Sequence, residues 1–191
     1  MEILLVLIIG VVTFGVCFLV DKGVAGIFRN KAQYRSGLSV RLNQHYGGAG
    51  LILALAGGIF LLRFAGSNVM LLICGGFVVL LGIALVVYYL SFGIYYDEDS
   101  FVYSAFGKKA VTCSFDAIQG QKLYQLSAKN IMVELYLQDG KTISVQSNMK
   151  GAYSFLDAAF AGWCRQKGLE AEDCPFHDAG NCRWFPEMEE S

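Results

Sequence analysis

Charged side chains are scarce in this chain, and the scarcity is confined to one part of it. Asp, Glu, Lys and Arg make up 16% of the 191 residues and hydrophobic residues 55%, whereas a soluble domain carries about 25% charged residues. The excess of hydrophobic residues lies before residue 93. The composition therefore predicts a membrane-embedded N-terminal part followed by a water-facing C-terminal part.

Histidine and the common catalytic motifs are also lacking. The two histidines are His45 and His177, and the sequence contains no G-x-S-x-G, H-E-x-x-H, P-loop or G-x-G-x-x-G pattern. We therefore expect no enzymatic activity. Nucleic-acid binding is disfavoured too, because residues 94–191 hold fourteen Asp/Glu against nine Lys/Arg.

Three long apolar runs are present instead, at about residues 3–20, 49–66 and 69–90. As a helix rising about 1.5 Å per residue, each run is of the length that a hydrocarbon layer about 30 Å thick requires. The first run follows Met1 and Glu2 rather than a basic start. We therefore expect a retained membrane helix there rather than a cleaved signal peptide.

Small residues recur on the second and third runs. Gly50, Ala54 and Gly58 are spaced four apart in the second run, and Gly75 and Gly82 lie seven apart in the third. Small side chains on facing membrane helices allow their backbones to approach closely. We therefore expect these two surfaces to pack against each other.

The loop at residues 21–46 is the most basic part of the chain, with five Lys/Arg and one Asp. The positive-inside rule predicts that this loop is cytosolic, which puts the N-terminus outside the cell membrane and everything after Leu90 in the cytosol. Four of its cations are candidates for lipid contact: Arg29, Lys31, Arg35 and Arg41. They would face anionic lipid if the loop forms a helix in the headgroup region. An ordinary cytosolic loop explains the same charges, and the sequence leaves the two interpretations open.

Short runs typical of β-strands begin directly after the third apolar run. They lie at residues 93–97, 101–106, 110–114, 119–126, 131–137 and 142–146. An Asp-Gly pair at 139–140, between two alternating runs, predicts a hairpin. Six strands within about 55 residues predict an antiparallel meander that curls over a core or closes on itself.

An amphipathic helix is predicted after the strands. Asn148 is a suitable N-cap, and an apolar face recurs at helical spacing, formed by Ala152, Phe155, Leu156, Ala159, Phe160 and Trp163. Lys167 followed by Gly168 predicts its end.

Three stretches of the C-terminal part, residues 96–108, 114–119 and 133–145, carry a recognisable pattern of apolar residues and turns. Together with the helix that follows, they resemble the bacterial pleckstrin-homology-like (PH-like) domains of small membrane proteins. The resemblance implies a partly open antiparallel β-barrel capped at one end by the helix, and it implies no catalytic activity. Phosphoinositide-binding members of the wider family use a basic cluster in an early hairpin loop. Lys108 and Lys109 are the counterpart here and the candidate headgroup contact.

These observations predict an α+β membrane protein in three parts. Residues 1–92 would form three transmembrane helices, residues 93–168 a PH-like β-barrel capped by a helix, and residues 169–191 an acidic tail containing Cys and His.

The tail offers a candidate metal site. Cys164, Cys174, His177 and Cys182 follow the spacing C-x9-C-x2-H-x4-C, and three Cys with one His suit tetrahedral Zn²⁺. This spacing matches no standard zinc finger, and a Cys174–Cys182 disulfide or an unligated tail are the alternatives. In the unligated case Trp184, Phe185 and Pro186 would pack back on the domain or contact lipid or a partner.

We therefore expect a non-enzymatic, multi-pass membrane protein that presents a cytosolic PH-like module to a protein partner. A metal- or ligand-responsive sensor and a module binding lipid headgroups are the competing interpretations. No cofactor is expected apart from the zinc of the candidate site, and membrane lipids are the expected surroundings of the helices.

Overall fold

The computed structural model describes residues 11, 15, 18, 22, 32–64, 69–105, 110–128 and 130–188, and within them the chain forms two compact units. The first unit is helical and centres on residues 42–92, and the second contains residues 32–41, 93–104 and 110–188. In chain order the elements are α1 (Ala32–Arg35), β1 (Ser39–Val40), α2 (Gln44–Phe64), α3 (Val69–Ser91), β2 (Gly93–Tyr96), β3 (Ser100–Ser104), β4 (Val111–Ser114), β5 (Ile118–Ser127), β6 (Asn130–Leu137), β7 (Thr142–Gln146) and α4 (Ala152–Lys167). The fold is α+β, with two apolar helices and two antiparallel sheets.

Helices α2 and α3 correspond to two of the predicted spans. They contain 21 and 23 residues, with mean hydropathies of 1.8 and 2.9 in their most apolar windows. Both are therefore long and apolar enough to cross a hydrocarbon layer about 30 Å thick. The first predicted span, residues 3–20, lies outside the described residues except at three isolated positions, and it stays a prediction.

Small residues line the contact between α2 and α3, as the sequence predicts. Gly50 and Ala54 of α2 are buried, and so is Gly82 of α3. A Cβ atom added at Gly82 would lie 2.5 Å from the backbone N of Ala54 and 2.6 Å from the carbonyl O of Gly50. One added at Gly75 would lie 2.7 Å from Cδ2 of Leu61. The contacts move forward along α3 as they move backward along α2, so the two helices pack antiparallel with their backbones close together.

The described part of the basic loop does not form one continuous helix. Helix α1 is a single turn, and Gly37 after it has a left-handed φ of +74°, which glycine adopts without steric strain. The chain then extends as β1, which pairs antiparallel with β2 so that Val40 lies opposite Ile94. Residues 32–41 thus supply an edge strand to the first sheet, a role that neither interpretation of the loop anticipated.

All six predicted strands are present, but they do not close into a barrel. Strands β1 to β4 form one antiparallel sheet in that order, and β5 to β7 form another. Between β4 and β5 the chain makes a 3-10 turn, Phe115–Ala117, in which Phe115 is fully buried. The hydrogen bonds of such a turn are local and do not continue a ladder. The described strands therefore form two antiparallel sheets and not one closed barrel, and the partly open PH-like barrel stays a prediction.

Helix α4 begins later than the sequence predicts and ends where it predicts. The main-chain groups of Lys150 exchange two hydrogen bonds with Arg41, at 3.1 and 3.0 Å, and Gly151 turns the chain at a left-handed φ of +82°. These bonds hold the residues before α4 outside the helix, so Asn148 does not cap it and that prediction is wrong. Gly168, in the left-handed conformation, ends the helix as predicted.

The apolar face of α4 is buried. All six residues predicted for this face are buried: Ala152, Phe155, Leu156, Ala159, Phe160 and Trp163. The Phe155 ring lies 5.5 Å from the Phe101 ring and 6.4 Å from the Phe115 ring, measured between centroids. The indole N–H of Trp163 donates to the carbonyl of Ile118 at 2.9 Å. The helix therefore contacts residues of both sheets and holds them over one core.

Candidate binding groove

An apolar groove lies between the two sheets. One wall comes from β3 and β4, and the other from the end of β6, the β6–β7 turn and the start of β7. The lining residues are Tyr103, Val111, Cys113, Leu137, Gly140, Lys141, Thr142 and Ile143. Its volume is about 500 Å³, which lies in the range of natural binding pockets. Since β4 and β7 are each the last strand of their sheet, the groove opens between two terminal strands.

The described lining of the groove carries balanced charges and a neutral thiol. Lys141 is ion-paired with Asp139 at the rim. Hydrogen bonds from Lys141 lower the pKa of the Asp139 carboxyl, and the same contact raises the pKa of the Lys141 ammonium. Burial raises the pKa of the Cys113 thiol, and the negative charge of Asp139 adds to this effect. At neutral pH the described lining residues, with Asp139 at the rim, therefore present apolar surface, a thiol and one ion pair without net charge.

The outer edge of β7 is available for strand pairing. At the two ends of the β6–β7 ladder, Leu137 N–H donates to Lys141 O at 2.9 Å and Ser147 N–H donates to Ile131 O at 2.8 Å. Antiparallel ladders alternate between bonded and non-bonded pairs. The N–H and C=O groups that point away from β6 therefore belong to the three alternate residues Thr142, Ser144 and Gln146, and of these the Gln146 carbonyl already accepts from Met149 N–H at 3.0 Å. Within the part of the chain that the structure describes, no strand pairs with this edge.

Two of the four residues predicted as zinc ligands, Cys164 and Cys174, are both buried. Burial, and then the neighbouring Cys174, raise the pKa of the Cys164 thiol to about 11. The His177 imidazole stacks instead on the Phe160 ring at 4.0 Å between centroids, and Cys182 Sγ lies 3.5 Å from a tyrosine hydroxyl of α4. Among the described residues, no group of three or more His, Cys, Asp or Glu is arranged to hold a metal ion. The four-ligand zinc site stays a prediction.

Two of the six predicted lipid-facing cations are described. Arg35 is exposed on α1. The Arg41 guanidinium lies over the Tyr95 ring, 5.0 Å from its centroid, and donates to the Tyr95 hydroxyl, so it is engaged with the first sheet. The other four lie outside the described residues: Arg29, Lys31, Lys108 and Lys109.

The C-terminal segment, residues 169–188, is packed on the β module, and Gln121 of β5 holds it. Gln121 N–H donates to Pro186 O at 2.8 Å, and Met188 N–H donates back to Gln121 O at 3.0 Å. The fully buried Gln121 side chain donates to Cys182 O at 2.9 Å and accepts from the N–H groups of Trp184 and Phe185, at 2.9 and 3.0 Å. The segment thus joins β5 through backbone bonds, and one buried amide satisfies three further backbone groups.

Trp184 and Phe185 pack back on the domain, which is one of the alternatives that the sequence left open for the tail. Trp184 is 0% exposed and Phe185 1% exposed. The Trp184 indole N–H donates to Asp157 Oδ1 of α4 at 2.7 Å. A glycine at position 120 is needed for this arrangement, because a Cβ there would lie 2.6 Å from the carbonyl O of Pro186.

Sequence reasoning did not find the groove or the role of Gln121. The groove residues were assigned to separate strands and a turn, and their grouping depends on how two sheets pack. Gln121 lies among polar residues of β5, and nothing in its local pattern distinguishes it from an exposed neighbour. In both cases the signal is a contact between residues far apart in the chain, which a single sequence does not contain.

No family model, curated protein or solved structure matches this chain. Its class is therefore defined by its own structure. It is an α+β protein with two helices apolar and long enough to cross a membrane, two antiparallel sheets of which one takes its edge strand from before these helices, and a helix after the last strand.

Proposed function

We propose that this protein is a non-enzymatic, multi-pass membrane protein whose cytosolic PH-like module binds an extended segment of a protein partner in the groove beside β7. The membrane part of the proposal is supported by the outer surface of α2 and α3. Seven large apolar side chains there are more than half exposed: Ile52, Ile59, Val69, Met70, Ile73, Phe77 and Leu80. An apolar surface with large side chains outside and glycine inside is suited to lipid, and soluble proteins rarely expose one.

The cytosolic location rests on charge. The loop at residues 21–46 holds five Lys/Arg and one Asp, and short loops of this kind are cytosolic by the positive-inside rule. With three spans, the N-terminus is then outside and the β module is in the cytosol. The order of two antiparallel sheets and one C-terminal helix supports the PH-like resemblance.

The single observation that carries the binding function is an apolar groove beside a strand edge with which no other described strand pairs. An extended peptide adds to such an edge through backbone hydrogen bonds, while alternate side chains enter the neighbouring apolar pocket. The outward N–H groups of Thr142, Ser144 and Gln146 would supply the bonds, and Ile143 lies in the wall that would receive the side chains. The favoured partner is therefore an extended segment with apolar residues at every second position.

The groove is less suited to the other two candidate ligands. A lipid phosphate needs an available cation, and Lys141, the cation among the described lining residues, is already paired with Asp139. A structural zinc ion needs four ligands, and the described lining contains one cysteine and no histidine.

The first step of the test is site-specific photocrosslinking in native membranes. The photoreactive residue p-benzoylphenylalanine is placed at Thr142, on the groove, in the full chain. A control chain carries it at Tyr153, which is 46% exposed on α4. We expect a discrete protein adduct from Thr142 that is absent from the Tyr153 control, and the same adduct from both positions would contradict a groove-specific contact.

The second step tests strand addition with the purified partner. Hydrogen exchange is measured on the full chain in detergent, and binding should protect the outward amides of Ser144 and Gln146 while the exposed end of β5 near Leu126 is unchanged. Ser144→Pro should weaken binding about ten-fold without unfolding, because proline is tolerated where an edge N–H faces outward. Protection elsewhere, or unchanged affinity of Ser144→Pro, rejects the proposed binding mode.

A further inference from the structure

Both chain connections between the β module and the apolar helices are at one end of the module. The chain passes from Arg41 to α2 and from α3 to Gly93. These two residues are neighbours, because β1 pairs with β2 and a Cβ atom at Gly93 would lie 3.4 Å from Nη1 of Arg41. We call this side of the module the attached end. The far end is marked by the turn between β2 and β3, where Arg165 of α4 is ion-paired with Asp99 at 2.9 Å.

Strand β7 crosses the module at the attached end. Its first residue, Thr142, lines the groove together with Tyr103, and the residue after Tyr103 is paired with Gly93. Beyond the last residue of β7, the main-chain groups of Lys150 bond to those of Arg41. The five residues of β7 span about 14 Å, which matches the width of the four-stranded first sheet at about 4.8 Å between strands. β7 therefore runs from the β4 side of the first sheet to its β1 side, close to both connections.

The outer edge of β7 faces the attached end as well. In the second sheet, β6 lies between β5 and β7. β5 begins close to the far end, since Phe115, shortly before Ile118, donates its N–H to Asp99 O at 3.2 Å. The strand order thus proceeds from the far end to the attached end. The outward N–H groups of Ser144 and Gln146 therefore point towards the attached end.

Short connections limit the room beyond this edge. Phe92 alone separates α3 from β2, and two residues separate Arg41 from α2. At 3.8 Å between consecutive Cα atoms, the attached end is within about 11 Å of the helix ends. Tyr46 and Tyr88, both exposed, lie within one turn of those ends, and tyrosine is enriched at membrane surfaces. An added strand needs about 4.8 Å, whereas a folded domain of about 100 residues has a radius of gyration near 13 Å.

We infer that the segment bound at β7 is an extended juxtamembrane stretch of another integral membrane protein, lying between the β module and the bilayer surface. This inference rests on the proposed function, both on the membrane location of α2 and α3 and on strand addition at β7. A stretch that leaves a transmembrane helix is already at the bilayer surface, which raises its effective concentration beside β7. Such a stretch fits the room beyond the edge, and a folded domain does not.

The first experiment measures how close β7 lies to lipid headgroups in the full chain. A chain with its native cysteines replaced carries a nitroxide at Ser144→Cys, in nanodiscs that contain a lipid with a nickel-chelating headgroup. The control carries the nitroxide at Leu169→Cys, an exposed position just after α4 at the far end. Headgroup nickel should relax the label at position 144 several-fold more than the label at 169. Equal relaxation in chains that circular dichroism shows to be folded would overturn the inference.

A third label tests the membrane location separately. Phe77 is 66% exposed on α3, and a nitroxide at Phe77→Cys should be relaxed by oxygen dissolved in the bilayer and not by headgroup nickel. The opposite result would reject the membrane part of the proposed function, and the inference with it. The expected result at Phe77 with equal relaxation at positions 144 and 169 would reject the inference alone.

The second experiment identifies the bound segment. The adduct formed by p-benzoylphenylalanine at Thr142 in native membranes is digested, and the crosslinked peptide is sequenced by mass spectrometry. The expected attachment point lies directly beside a transmembrane helix of an integral membrane protein. Attachment to a water-soluble protein, or to a segment far from any transmembrane helix, would overturn the inference and leave strand addition at β7 standing. The lack of any protein adduct at Thr142 would reject the proposed function and the inference together.

Discussion

A methyl group at Gly82 is expected to force the two apolar helices, α2 and α3, apart. Its Cβ would lie 2.5 Å from Ala54 N, 2.6 Å from Gly50 O and 2.9 Å from Ala54 Cα. All three are backbone atoms, which cannot rotate out of the way. Carbon atoms pack best at about 3.5–4.0 Å, so the helix axes would have to separate by roughly 1 Å. Overpacking of this kind costs about 1–3 kcal/mol, and we expect about 2 kcal/mol for Gly82→Ala.

Unfolding in mixed micelles measures this cost. A chain with its native cysteines replaced receives Tyr46→Cys and Tyr88→Cys, two exposed positions on α2 and α3, and fluorescent dyes report helix separation by energy transfer as sodium dodecyl sulfate is added. Gly82→Ala should lose energy transfer at a lower detergent fraction than the parent. Gly76→Ala is the matched control, because a Cβ at Gly76 meets nothing within 4 Å. Equal midpoints for the two variants would refute the close-contact explanation.

The C-terminal segment, two turns and one thiol give further predictions for the β module. Gln121→Leu leaves three buried backbone groups unpaired, each at about 1 kcal/mol or more, so trypsin should release the C-terminal segment at least about ten-fold faster. Gly151→Ala should lower the urea midpoint more than Gly140→Ala. Both glycines have left-handed φ values, +82° and +76°, but only at Gly151 would a Cβ meet a backbone atom, Ser39 O at 2.5 Å. The pKa of Cys164 is raised from 9.0 to about 11, so the thiol loses its proton at a lower pH in the unfolded chain than in the folded one. The free energy of unfolding should therefore fall as the pH rises from 9 to 11. This fall should be smaller in Cys164→Ala.

Each of these predictions has its own control. Gln119→Leu changes an exposed glutamine of the same strand, and equal trypsin sensitivity of the two variants would contradict the role of the buried amide. Equal urea midpoints for the two glycine variants would show that the left-handed φ alone, and not the contact with Ser39 O, determines the loss of stability. The pKa values of Tyr96 and Tyr153 are also raised, by burial and by a hydrogen bond with Cys182 respectively. Cys164→Ala keeps both tyrosines. If its free energy of unfolding depends on pH in the same way as that of the wild type, Cys164 is not a cause of the fall in stability.

The strands and the amphipathic helix could be predicted because their signals are local. Alternation over four to eight residues marks a strand, and the 3.6-residue period marks the buried face of α4. The apolar run that begins at Val69 could be predicted as a long apolar helix from its length and its lack of charge alone. The helix contact was predictable as well, since small residues such as Ala54 and Gly82 recur on each helix at a helical spacing.

What was missed depends on contacts between distant parts of the chain. Strand β1 is two residues long and is defined by its pairing with β2, 54 positions further on at Val40 and Ile94. The late start of α4 follows from the bonds between Lys150 and Arg41, which outweigh the capping preference of Asn148. The groove and the binding of the tail by Gln121 likewise require tertiary packing that no short window encodes.

The position of β1 before the helix pair has a consequence for dissecting the protein. The chain leaves the β module after Arg41 and re-enters it at Gly93, so the 50-odd residues between are an insertion within the module's own sequence. A fragment cut at Gly93 would discard one strand and uncover the hydrogen-bonding edge of β2, a known route to self-association. A faithful water-soluble version needs residues 32–41 rejoined to residue 93 by a short linker. During synthesis, likewise, the first sheet can be completed only after both apolar helices have been made.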